Sequence, residues 1–194
     1  YRLDGSFIDK KILPEKINFQ KIGLTPGGDL LTWSALNKDD GACVMRLEAD
    51  SAKLINEFWS DHFCLNWACW DVFYSYQGKA YFSPTFYEEV YEITRDSLRV
   101  AYRWDMGEQN INIEQYHFNS GPDTRKEEEE RLREYRKTGK IAFNFTKQYQ
   151  TDKYYYAQLF SMSSYPQRKL TNLLYRKKDG VVFYFEKTRE GIRI

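Results

Sequence analysis

Histidine is almost missing from this chain, with two residues, His62 and His117, in 194. Cysteine is scarce too: Cys43, Cys64 and Cys69 are odd in number and too few for a disulfide framework. No apolar run approaches the ~18 residues that a membrane-spanning helix needs. Lys and Arg nearly balance Asp and Glu, leaving a net charge of +1. Bulk nucleic-acid phosphate needs a basic face, so no nucleic-acid partner is expected. The opening residues lack a secretory signal pattern, and Tyr1 already lies inside a strand pattern. The chain therefore reads as a processed or truncated piece.

Aromatic residues are plentiful at 18%, with 16 Tyr and 13 Phe, and apolar residues reach 42%. Aromatics suit a pleated, half-buried surface better than a helix, which favours an all-β fold. The length allows one domain with a real core, or three to four units of a repeat array.

The clearest local figure is Glu89–Asp105. Val90, Tyr91 and Ile93 are β-formers, Asp96-Ser97 is a turn, and Leu98, Val100 and Tyr102 alternate with more polar residues. That is a hairpin. The figure recurs around Asp4, Asp50 and Asp179. Asp4, Asp50 and Asp96 stand one period apart (50−4 and 96−50, both 46), and Asp179 follows after 179−96=83, one period plus 37. A four-strand period with a tip turn in fixed phase is the mark of a radial β-repeat.

Residues 1–12 read as the outer hairpin of a unit whose inner strands lie upstream. The second unit has strands at Phe19–Leu24, Leu30–Ser34, Ala42–Leu47 and Ala52–Phe58, with turns at Thr25–Asp29 and Asn37–Gly41. The third runs Asp71–Tyr76, Ala80–Ser83, Glu89–Ile93 and Leu98–Trp104. The pattern departs at 118–140, read as a helical insertion between units. Asp123 or Thr124 caps a surface helix near 123–138, acids lead, bases follow, and Gly139 ends it. Strands at Ile141–Phe145, Tyr154–Phe160, Lys169–Arg176 and Val181–Glu186 make the last unit, with Thr188–Ile194 trailing. The whole of 1–194 is expected to be one partial repeat domain.

This order of features resembles the six-bladed β-propeller proteins found as cell-surface or periplasmic lipoproteins in Bacteroides-type bacteria. The likeness is carried by Tyr87–Gly107, where Tyr91, Asp96, Leu98, Tyr102, Asp105 and Gly107 fit a recurring blade ending. Leu3-Asp4-Gly5-Ser6-Phe7-Ile8 fits the blade-tip pattern. It covers most of the chain, but its motifs are turn signals and bring no active site. The resemblance implies an all-β partial propeller of three to four four-stranded antiparallel blades. Full members are roughly twice as long, so this chain would be about half a ring. It also implies an extracytoplasmic location, periplasm or cell surface, with any lipid anchor in a segment not present here.

Sites are harder to read. His62, Cys64 and Cys69, with His117 further on, are Zn²⁺-type ligands, but His-x-Cys-x4-Cys matches no common spacing. Buried thiols are the expectation, and neither a metal nor a cofactor is assigned. No signature of a thiol enzyme surrounds the cysteines, so no catalytic residue is assigned either. Asp29, Asp39, Asp40 and Asp61 are read as turn chemistry rather than a Ca²⁺ site. Arg176-Lys177-Lys178 is read as a solvated hairpin edge.

In the aromatic stretch from Phe58 to Tyr76, Trp70, Phe73 and Tyr74 fall on or beside a strand and read as core. Trp59 and Trp67 fall in an inter-blade connection and are the candidate ligand-binding residues, able to stack on a sugar or anchor a protein. The expected function is a non-enzymatic binding or scaffold module for a protein or glycan. The alternatives are a lyase- or hydrolase-type enzyme at the central channel of a propeller, and a small independent inhibitor or immunity-type protein. Fold alone does not choose among them. A half ring exposes its end sheets, so the rest of its own polypeptide or a second copy is expected to complete it.

Overall fold

The computed structural model describes residues 4–7, 19–35, 42–48, 51–58, 72–84, 87–109, 130, 133–134, 137, 145–161, 169–188 and 191–193. Among them run three antiparallel sheets, each paired in chain order. The first holds β1 (Phe19–Leu24), β2 (Leu30–Ala35), β3 (Ala42–Leu47) and β4 (Ala52–Phe58). The second holds β5 (Phe73–Tyr76), β6 (Lys79–Phe82), β7 (Glu89–Ile93) and β8 (Leu98–Arg103). The third holds β9 (Phe145–Gln150), β10 (Tyr154–Ser161), β11 (Lys169–Arg176) and β12 (Val181–Thr188), with β13 (Gly191–Arg193) added beyond β12. This is the all-β partial propeller that the repeat predicts.

The first strands of the sheets are neighbours: β5 touches both β1 and β9. In an up-and-down sheet the first and third turns share one end, so one face of the array carries the first and third turns of each sheet. Backbone bonds close them: Glu48 N–H to Ser51 O, Thr94 N–H to Ser97 O and Thr151 N–H to Tyr154 O, at 2.9, 2.9 and 2.8 Å. The Thr94 and Thr151 hydroxyls accept from the N–H groups of Ser97 and Tyr154 and lock two of these turns further.

Alternation along each strand sends one row of side chains to each neighbouring sheet. Between the first and second sheets the rows are apolar: Leu31, Trp33, Val44 and Ile55 meet Ala80, Phe82 and Ile93. The Trp33 and Phe82 ring centroids are 5.0 Å apart, and both side chains are fully buried. Each such large side chain contributes about 1.5–3 kcal/mol by leaving water.

Between the second and third sheets the filling changes. Tyr155 of β10 is surrounded by Tyr74, Tyr102 and Trp104, with centroids at 5.9, 5.6 and 4.9 Å. Tyr74 stacks on Tyr81 at 4.9 Å. The oxygen of the buried Gln148 amide accepts from the Ser83 hydroxyl at 3.1 Å and from the Tyr155 hydroxyl. Leu30 pairs with Leu47 as Ala80 pairs with Ile93, one period on. Leu31 and Tyr81 therefore hold one position of the repeat, and Trp33 and Ser83 another. The backbone repeats while the chemistry between sheets does not.

Several sequence expectations shift. Of the strand expected at Ile141–Phe145 only Phe145 is among the described residues, and it opens β9, which runs on to Gln150 beyond the expected end. Its inward positions include the polar Gln148, which hides the strand from a hydrophobic count. The trailing segment contains β13, paired through Glu186–Arg193 and Thr188–Gly191. Arg176 and Lys177 are not a purely solvated edge. Arg176 binds Asp179 at 2.9 Å, and the Lys177 ammonium sits 4.2 Å from the centre of the Tyr76 ring, on the neighbouring sheet. Glu130, Arg133, Glu134 and Lys137, the described part of 118–140, are helical and exposed.

Candidate functional site

The tip face carries an open groove of about 460 Å³ between the first two sheets. Its lining is largely polar, with Asp29, Arg46, Glu48, Lys53 and Arg95 around it. The β1–β2 turn positions Asp29. Thr25 and Asp29 exchange bonds, Thr25 N–H to Asp29 O at 2.9 Å and Asp29 N–H to the Thr25 hydroxyl at 3.0 Å. Gly28 supplies the left-handed backbone there, at φ 90°.

Arg46 is the centre of the groove. Its side chain is 16% exposed, and Nη1 donates to Asp29 Oδ2 at 2.5 Å. Nη2 reaches across to the second sheet and donates to the Thr94 carbonyl oxygen at 3.1 Å. Beside it, Lys53 pairs with Asp96, the turn aspartate of the second sheet. That hydrogen bond holds the Asp96 carboxyl below its usual range. The groove thus has three cations, Arg46, Lys53 and Arg95, two of them already bridging to anions.

The same end of the second and third sheets is joined differently. The Tyr76 hydroxyl and the Gln77 amide donate to Asp152 Oδ1 at 2.8 and 2.9 Å, and these bonds hold that carboxyl down. One period beyond Arg46 stands Glu92, which accepts from Arg99 at 2.9 Å and Lys79 at 3.0 Å within its own sheet. Arg99 holds the Glu92 carboxyl down first, and Lys79 adds to it. The charge at this repeat position is reversed, so the Arg46 bridge is confined to the first junction.

Sequence reading did not single out Arg46, Lys53 or Arg95. Their signal was the opposite sign of Arg46 and Glu92 at one period, which turn motifs do not reveal. Trp59 and Trp67, the expected ligand contacts, lie outside the described residues, as do His62, Cys64, Cys69, His117, Asp39, Asp40 and Asp61. Cys43 is buried. Phe73 and Tyr74 are half-buried and pack into the two junctions, as core residues should. Asp29 serves an ion pair, and no cluster of three metal-ligating side chains occurs among the described residues.

No curated protein matches the chain. A crystal structure of a Bacteroides fragilis protein, provisionally named as an exported protein, is similar in fold, with a TM-score of 0.58 and 13% identity. The likeness covers 95% of this chain and 50% of that one, so the chain spans half the length of the structure it matches. A family model described as a 6-bladed beta-propeller matches residues 1–190. With the repeat, the three sheets and the adjacent first strands in agreement, the chain belongs to that six-bladed β-propeller family.

Proposed function

We propose that this chain is part of an extracytoplasmic β-propeller that binds or scaffolds a partner, a protein or a glycan, without transforming it. The observation that supports the reading is the set of charge pairs that fix the tip face, Arg46 with Asp29, Lys53 with Asp96 and Arg99 with Glu92. Asp4, Glu92, Asp96, Asp152 and Asp179, the described carboxyls with perturbed titration, are all pushed down by hydrogen bonds. Such carboxyls are fixed charges suited to holding geometry. The groove around Arg46 offers the same: ions held in pairs where two sheets meet, a surface for recognition. The exported relative supports the location.

The partner's contacts are proposed at Trp59 and Trp67. β4 ends at Phe58 and β5 begins at Phe73, both at the end of the sheets opposite the tight tips. The connection that carries the two indoles therefore joins the sheets at that end. Arrays of glycans and of surface proteins, probed with the natural protein and with Trp59→Ala and Trp67→Ala, test this. Lost binding with unchanged melting supports the reading, while turnover of a bound glycan would show an enzyme instead.

A further inference from the structure

The groove on the tip face holds more hydrogen-bonding capacity than its two bridges use. A guanidinium has five N–H donors, and Arg46 commits two, Nη1 to Asp29 and Nη2 to the Thr94 carbonyl. A lysine ammonium has three, and Asp96 takes one from Lys53. Glu48 and Arg95 also line the groove and are exposed, and neither has an ion pair among the described residues. Glu48 opens the β3–β4 turn of the first sheet, and Arg95 stands in the β7–β8 turn of the second. Each sheet thus brings one charge to the opening that no bridge consumes.

The balance of charge says what kind of ligand fits. Arg46, Lys53 and Arg95 stand against Asp29, Glu48 and Asp96, so the charges cancel. An anion finds no net field to draw it in and meets the carboxylates as competitors. What the groove offers is strong donors interleaved with strong acceptors. A sugar hydroxyl both donates and accepts, so neighbouring hydroxyls of a pyranose complement a cation beside a carboxylate. Hydrogen bonds to ionised groups are the strong ones. The groove volume of about 460 Å³ falls within the range of small-ligand sites, about 300–1,000 Å³. Its largely polar lining departs from the apolar lining usual there and suits a polyhydroxylated guest. A protein partner is anchored instead by large side chains in dry pockets, which an open, charged groove does not supply.

We infer that this groove is a glycan subsite for an uncharged pyranose, with Glu48 accepting from its hydroxyls and Arg95 and Lys53 donating to them. Arg46 and Asp29 hold the wall in shape, because Thr94 anchors the one and Thr25 the other. Binding then orders few new side chains, which keeps its entropic cost low. The inference rests on the reading that the protein binds a partner, and it selects glycan over protein. It adds a site on the tip face, at the end of the sheets opposite the connection that carries Trp59 and Trp67.

The test titrates the natural full-length protein with the methyl pyranosides of glucose, galactose, mannose, fucose and N-acetylglucosamine, and in parallel with glucuronate and inorganic sulfate. Saturation-transfer NMR reads binding of the sugars, and calorimetry reads it for all the probes. Glu48→Gln and Arg95→Gln are compared with the natural protein, and their melting temperatures check the fold. At least one neutral pyranoside should bind, hold its affinity as sodium chloride is raised, and bind severalfold more weakly in either variant. Failure of every pyranoside to bind overturns the inference, and so does binding that both variants leave unchanged. Binding of glucuronate or sulfate alone, weakened by salt, overturns it in favour of an anion site. Capture of a surface protein that depends on Glu48 and Arg95 overturns it in favour of a protein partner. Trp59→Ala and Trp67→Ala separate it from the reading above. Pyranoside binding lost in the tryptophan variants and kept in the groove variants leaves that reading standing and overturns the groove. The opposite pattern supports the groove and removes the tryptophan assignment.

Discussion

Gly23 of β1 lies flat against the Phe73 ring of β5: a methyl group on Gly23 would stand 2.6 Å from Phe73 Cγ. The backbones of the first strands come together because this position has no side chain. Gly23→Ala should therefore force Phe73 aside and cost about 1–3 kcal/mol, the usual range for overpacking. Urea unfolding measures it. Adding Phe73→Leu should recover part of the loss, and a neutral Gly23→Ala would show that the strands have room to spare.

Arg46 and Lys53 both bridge the first two sheets, but they should behave differently. Arg46→Ala leaves the Thr94 carbonyl and Asp29 without their mostly buried donor, which should cost about 1–3 kcal/mol. Lys53→Ala removes a pair with both partners substantially exposed, worth less than about 1 kcal/mol. A larger loss for Lys53 than for Arg46 in chemical denaturation would reverse this ranking.

Acid should loosen the junctions at the tips. Asp96 and Asp152 have folded-state titration below the usual carboxylate value. Their contribution is thus fully present above that value and is lost as pH falls through the folded one. Melting temperature should stay level from neutrality to about pH 5 and fall below about pH 4. In Asp96→Asn combined with Asp152→Asn the acid fall should be shallower, as calorimetry across that range would show.

Alkali acts on the other junction. Burial pushes the Tyr102 and Tyr155 phenols up, so both stay protonated in the folded protein. Stability from this source is complete below the ordinary phenol value, about pH 10, and drains away above it. Tyr155→Phe removes the donor to Gln148 and should cost about 1 kcal/mol at neutral pH. The same variant should soften the alkaline fall, which a melting series between neutral and alkaline buffer would detect.

Much of the strand plan was legible because these strands are bounded by Gly, Pro and Asp turns and filled with β-branched and aromatic residues. Phe19–Leu24, Ala42–Leu47, Ala52–Phe58, Glu89–Ile93 and Lys169–Arg176 have the expected bounds. The run of β9 beyond Phe145 went unread because its buried Gln148 holds its position through two hydrogen bonds, a partnership that no local pattern announces. The groove was illegible for a similar reason. Asp96 reads as a turn residue in isolation, and its second role toward Lys53 appears only once two sheets stand side by side.

The reversed charge at Arg46 and Glu92, with the exchange of Leu31 and Trp33 for Tyr81 and Ser83, has a consequence for how the ring is put together. Sheets of one backbone plan could in principle associate in any order, and a chain of repeats invites such swaps during folding. Here each junction has its own chemistry. The second sheet docked onto a copy of itself would bring Glu92, rather than an arginine, to the Thr94 carbonyl. It would also press Tyr81 and Ser83 against Phe82 and Ile93. Such a pairing loses a donor, strands polar groups against hydrocarbon, and is disfavoured before it matures. The order of the sheets around the axis is thus written in their flanks, and a nascent chain can add each sheet to its proper neighbour as it emerges.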